Sequence, residues 1–184
     1  MTKSDLLEAL RTTGKDLVAR VASIDPARLE EGRYENGWNA RLILAHVASI
    51  EWTYKRLVEN AVSGVSNAYA AAATPSSQGQ PAQGAIPAGA RPRAAVPQAA
   101  DNPIDDYNAR QVEKRKDATV AELLDEFRQN RAGTIAAVES ATDELLTKPT
   151  RSAGGAQGTL ADVIDFVAVQ HVRVHTRDIL GGKA

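Results

Sequence analysis

Apolar residues recur at steps of three and four through most of the chain, which is the period of amphipathic helices. Leu6, Leu7, Leu10, Leu17, Val18 and Val21 make the first stripe, in a helix expected to begin near Ser4–Asp5 with Asp5 and Glu8 as a reciprocal cap. "DPARL" reads as a short turn with Asp25 capping and Pro26 at the first helical position. After the loop "ENGWN", Asn39 is suited to cap a second helix running to about residue 62. Its inward stripe is Ile43, His46 or Val47, Ile50, Tyr54 and Leu57. A third helical region spans about Ile104 to Lys116, pauses at "KDAT", and resumes from Val120 to about Ala141. Thr119 and Glu122 cap its second half, and Leu123, Leu124, Phe127, Ile135 and Val138 form its core face. "TKPTRSAGGAQG" reads as a loop, and the last helix opens with Thr159 as cap and Asp162 three residues on, ending at Gly181–Gly182.

Between residues 64 and 103 the periodicity stops, and Ala, Pro, Gly, Gln and Ser dominate with almost nothing large and apolar to bury. Such a stretch predicts a low-complexity crossover connection, extended rather than packed. Four amphipathic helices with two short links and one long crossover between the second and third predict an all-α, four-helix bundle. Residues 1–184 are long enough to close one core and read as a single domain carrying the 64–103 insertion.

Composition narrows the function classes. With 22 basic residues against 23 acidic ones and no basic patch, nucleic acid and anionic membrane surfaces are not expected partners. Aromatics at 4% weaken any base-stacking role. The chain has no cysteine, so disulfides, thiolate ligands and a protein thiol nucleophile are excluded. Charges recur through "MTKSDLLEALRTTGKDL", unlike a signal peptide, and no stretch approaches the roughly 20 apolar residues of a membrane span. A cytoplasmic protein is the expectation.

The three histidines carry the candidate chemistry. On the last helix, steps of three and four give Leu160, Ile164, Val167 or Ala168, His171, His175 and Asp178, so both histidines continue the core stripe. An i, i+4 pair sits side by side at about 5–6 Å between Cβ atoms, close enough for two ring nitrogens to share an ion at about 2.0–2.1 Å each. His46 points inward from the second helix, and a shared ion in a bundle takes its ligands from facing helices. Taken singly, each histidine also reads as a core residue bonded to a carbonyl. Together, three imidazoles on inward stripes point to a divalent metal site with open positions, because unpartnered burial of all three would be costly. Asp165, Asp178 and Glu51 are within helical reach as partners for ligand imidazoles, but the pattern reads each as a solvated surface acid. Trp38 and Trp52 flank the second helix as packing or pocket lining; Arg173 reads as surface; Asn108 and Arg110 are candidates to face a ligand carboxylate or carbonyl. "GGAQG" lacks the lysine of a phosphate loop and reads as a flexible turn.

The segments "GWNARLILAHVASIEW", "DDYNARQVEKRKDATVAELLDEFRQNRAGTIAAVESATDELL" and "HVRVH" resemble the DinB-like superfamily, in the branch similar to the N-terminal domain of mycothiol-dependent maleylpyruvate isomerases. The resemblance covers nearly all of the chain outside 64–103. It implies a helical bundle that binds a divalent ion, zinc or nickel, through His46, His171 and His175, and that forms homodimers. It further implies a thiol S-transferase or isomerase working on a small-molecule substrate with mycothiol, bacillithiol or glutathione. The long insertion departs from the family pattern, and the chain stops just past the fourth helix, without the isomerase's C-terminal domain. With no cysteine in the chain, any sulfur nucleophile arrives as a cofactor. The rival readings are a non-enzymatic metal-binding or stress-response bundle and a metal-dependent hydrolase. No specific catalytic residue is legible.

Overall fold

The computed structural model describes residues 1–34, 37–64 and 103–182, and these are mostly helical. The elements in chain order are α1 (Lys3–Ala22), α2 (Pro26–Leu29), α3 (Ala40–Val62), α4 (Pro103–Glu113), α5 (Val120–Ser140) and α6 (Asp143–Leu146). A hairpin follows, β1 (Pro149–Arg151) and β2 (Gln157–Thr159). The last long helical stretch is α7 (Leu160–Ile164), a π-helical segment (Asp165–Gln170) and α8 (His171–Ile179). α1 packs on α5 and on the last stretch, and α3 packs on the same two from its own side. The expected 64–103 crossover lies, apart from Gly64 and Pro103 at its ends, outside the described residues.

Most helix starts are local chemistry. Asn39 accepts the Leu42 N–H at 2.8 Å, Asp25 accepts the Ala27 N–H ahead of Pro26, and Thr119 with Glu122 forms a capping box. Thr159 caps α7, and the last helix ends at Gly181 in the left-handed region, φ 76°. The first helix starts earlier than its charge pattern suggested. Thr2 caps it, in a box with Asp5, while Glu8 instead accepts from the Thr12 hydroxyl at 2.9 Å. Thr2 stands three residues before Asp5, so the reciprocal pair is satisfied one position set earlier.

Two further expectations are corrected. The segment read as the loop "TKPTRSAGGAQG" contains an antiparallel hairpin pairing Pro149 with Thr159, Thr150 with Gly158 and Arg151 with Gln157. Strands of three residues leave no alternation for a pattern to show. The last helix is also not uniform. Over Asp165–Gln170 it widens to π geometry, and the His171 N–H bonds five residues back to the Phe166 carbonyl.

The core has two apolar layers. Leu6, Leu10, Tyr54, Val138, Leu160 and Val169 belong to one; Leu17, Val21, Ile43, Phe127, Val172 and Ile179 belong to the other. Each fully buried Leu, Ile or Phe contributes about 1.5–3 kcal/mol of burial free energy. Between the layers lies a buried polar stratum of Thr13, Ser49, Glu51, Arg131 and Thr134. Gly14 belongs to it on α1, because a Cβ there would stand 3.3 Å from Arg131 Cγ. Glu51, read from the pattern as a solvated acid, is 0% exposed and paired with Arg131. Its carboxylate turns into the stratum because α5 supplies a cation opposite it.

Candidate metal centre

His46 sits on the second turn of α3, a helix started by the Asn39 cap and anchored in the core through Ile43, Leu44 and Val47. His171 and His175 open α8, one helical turn apart. The fold brings the three together: one ring nitrogen from each can be chosen so that all lie within 4.8 Å of one another. Ring centroids are 5.4 Å apart for His46 and His171, 5.2 Å for His46 and His175, and 4.3 Å for His171 and His175. Among the described residues, this is the only cluster of three or more His, Asp or Glu side chains arranged to hold a metal ion.

His46 and His175 are each 5% exposed, and His171 is half-buried. Burial first, then electrostatic interaction with the neighbouring His175, pushes His46 down to about 3. Burial, then His175 and His46, holds His171 well below its ordinary value. Both imidazoles are therefore neutral at physiological pH, the state in which imidazole binds metal.

Proton accounting around His175 fixes its orientation. The Tyr34 hydroxyl donates to Asp178 Oδ2, since a carboxylate can only accept. His175 Nδ1 lies 3.1 Å from the Tyr34 oxygen and 3.3 Å from Asp178 Oδ2, two acceptors facing one nitrogen. The His175 proton thus resides on Nδ1, and Nε2 presents a lone pair to the cluster. Burial raises the Asp178 carboxyl, but hydrogen bonds from His175 and Tyr34 outweigh it and keep the group below the usual carboxylate range. Burial and the bond to Asp178 push the Tyr34 phenol up, so it stays a proton donor.

His175 Nε2 lies 3.0 Å from His171 Nε2. Two nitrogens each about 2.0–2.1 Å from one ion stand about 2.9 Å apart at a right angle and about 3.4 Å apart in a tetrahedron, so this spacing suits a common ion. His46 Nδ1 and His171 Nδ1 are buried with no hydrogen-bond partner. Unpaired buried nitrogens are costly. Nitrogen donors from His46, His171 and His175 in this arrangement fit a divalent metal ion.

The supporting residues divide as follows. Tyr34, which no periodicity singles out because it lies in a loop, reaches the site through the segment whose Arg33 N–H bonds the Trp38 carbonyl at 2.9 Å. Arg28 and Arg33 donate to the Leu180 and Ile179 carbonyls at 3.2 and 3.5 Å, tying the end of α8 to that segment. Trp38 lies beside His46 with ring centroids 5.4 Å apart. Asp178, read as a surface acid, is instead half-buried against His175. Asp165 accepts from the Gln170 side chain at 3.1 Å and serves no histidine. Trp52 is 37% exposed and stacks with Arg56 outside the site, and Arg173 is exposed as expected. Arg110 is exposed and Asn108 half-buried on α4.

The family model of the DinB superfamily matches residues 9–179 of the chain. Searches of curated proteins and of solved structures found no match.

Proposed function

We propose that this chain, which belongs to the DinB superfamily, holds one divalent metal ion through His46, His171 and His175 and uses it as a thiol S-transferase or isomerase. The observation that carries the reading is the convergence of three imidazoles on one spot, two of which, His46 and His171, leave a buried nitrogen without a partner. An ion bound there supplies a Lewis acid that holds a low-molecular-weight thiol as its thiolate, the better nucleophile. His175 is pre-oriented for its part by Asp178 and Tyr34, so its Nε2 needs no reorganisation to bind. Trp38 and Tyr34 border the cluster. The half-buried His171 marks the accessible edge. Because the chain has no cysteine, the sulfur must enter as mycothiol, bacillithiol or a similar small thiol.

The test is elemental analysis of protein purified without a polyhistidine tag, followed by incubation with each thiol and an aryl halide or epoxide electrophile. About one zinc or nickel ion per chain, lost on His46→Ala, together with thiol-dependent conjugate formation, is the expected result. Metal without turnover leaves a metal-binding bundle alone. Turnover that needs no added thiol makes the protein a hydrolase. Protein that takes up no divalent ion refutes the reading.

A further inference from the structure

We propose that Arg131 is a positioning residue for the histidine cluster: by bonding Glu51 and the Ala168 carbonyl at once, it sets the register of the two helices that carry the histidines. The role rests on the metal-binding reading above, but the geometry behind it is separate from the cluster.

Arg131 comes from α5, which contributes no histidine, and it is 4% exposed. Its Nη2 donates one hydrogen to Glu51 Oε2 at 3.0 Å and the other to the Ala168 carbonyl at 2.7 Å. Nε stands 2.9 Å from Glu51 Oε1, an ion-pair approach that lacks the alignment of a second hydrogen bond. Nη1 reaches the Leu10 carbonyl of α1 at 3.4 Å. One guanidinium on α5 therefore touches α1, α3 and the last helical stretch. The side chain has no freedom to drift, since the guanidinium lies 5.1 Å from the centre of the Phe127 ring and Gly14 leaves its stem only the room it fills.

The two partners are placed where register matters. Glu51 follows His46 by five residues on α3, and Ala168 precedes His171 by three. A slide of either helix by one residue, a rise of about 1.5 Å, breaks one of the two Nη2 bonds. Ala168 also lies inside the π-helical segment, where the backbone departs from its regular ladder just before His171. π turns of this kind gather at functional sites. A fixed cationic donor on that carbonyl pins the segment at the point where α8 takes its heading.

Stability alone is a weak reason for this arrangement. Replacing a buried ion pair with well-packed apolar side chains is often neutral or stabilising, because the charges lose their hydration. An apolar filling would leave the helices free to settle against each other by packing. The planar fork imposes a direction and a distance that an ammonium cannot. The Thr134 hydroxyl, also on α5, donates to the Glu51 backbone carbonyl at 3.3 Å and ties α3 to α5 beside the same ion pair.

The experiment compares Glu51→Gln, Arg131→Lys and the double variant Glu51→Leu/Arg131→Met with the native chain. Three quantities are read: zinc affinity by competition with a chromophoric chelator, the visible spectrum of the cobalt-substituted protein, and ring-to-ring nuclear Overhauser effects between His46 and His171 in metal-free protein. Glu51→Gln keeps an acceptor oxygen for Nη2 but removes the charge, so it loses less affinity than Arg131→Lys and its cobalt bands shift less. Arg131→Lys and the double variant lose about tenfold or more in affinity, the scale seen when support around metal ligands is removed. Their cobalt bands shift and the ring contacts weaken, while the double variant melts close to the native temperature. If the double variant does not fold, Arg131→Lys decides by the same readouts. Native affinity, bands and ring contacts in a folded Arg131→Lys variant overturn the proposal. Should the native chain bind no zinc, the metal reading fails while the ring contacts still decide the role of Arg131.

Discussion

His175 Nδ1 faces Asp178 Oδ2 at 3.3 Å from one turn back on the same helix, and the Tyr34 hydroxyl closes against both. That contact assigns the imidazole's proton and leaves its other nitrogen bare. Asp178→Asn takes away the charge that favours Nδ1–H and is expected to weaken zinc binding by about 10- to 100-fold. Tyr34→Phe removes only one of two acceptors and is expected to cost less. Chelator competition at fixed pH measures both.

Acid should destabilise the metal-free protein. Folding lowers His46 from 6.5 to about 3, so between those values the unfolded chain binds a proton that the folded chain refuses. Stability is therefore complete above pH 6.5 and lost as pH falls, at up to about 1.4 kcal/mol per pH unit for one group. His171 acts in the same direction. Glu51 opposes them: burial lifts it from 4.5 to about 7 against the pull of Arg131, so the folded chain takes up one proton there. Two refused protons outweigh one accepted. Urea midpoints at pH 7.5 and 5.5 check the sign, and His46→Gln should flatten the difference.

Removing the metal should lower the melting temperature. An ion present at a hundred times its dissociation constant stabilises the fold by about 2.7 kcal/mol, which in a domain of this size is about 5–10 °C. A thermal scan with zinc against one with chelator reads the gap, and in His46→Ala the two scans should coincide.

Stability and the site can be separated by substitutions elsewhere in α5. Thr119→Ala removes an exposed capping box at a cost of about 1 kcal/mol. Phe127→Ala empties a fully buried position at about 3–5 kcal/mol. Denaturant unfolding measures both. Thr119→Ala, far from the cluster in its effects, should leave zinc affinity unchanged.

The helices were legible because their apolar stripes repeat over many turns; Ile43, Tyr54, Phe127 and Leu160 are all buried as their spacing implied. The three histidines were legible for the same reason, being polar residues on those stripes. What the pattern hid follows from its own logic. A charged residue inside a stripe reads as solvated unless its partner is known, and Glu51 and Arg131 each conceal the other. Arg131 does leave a trace, standing four residues after Phe127 in line with the buried face of α5. Tyr34 lies in a loop where no period applies, and the hairpin strands are too short to alternate. The π segment spans only six residues, too few for a changed period to register.

That widened stretch makes the last helix sensitive to chain length in a way substitution cannot reveal. Deleting one residue between Asp165 and Gln170 would let the backbone relax into ordinary α geometry, an apparent improvement in local hydrogen bonding. A π turn holds one residue more than an α turn, so this deletion absorbs the surplus and keeps the side chains downstream near their present heading. One residue deleted from the regular part of the same helix, between Gln170 and His175, would instead swing His175 by about 100° and break up the gathering of three nitrogens.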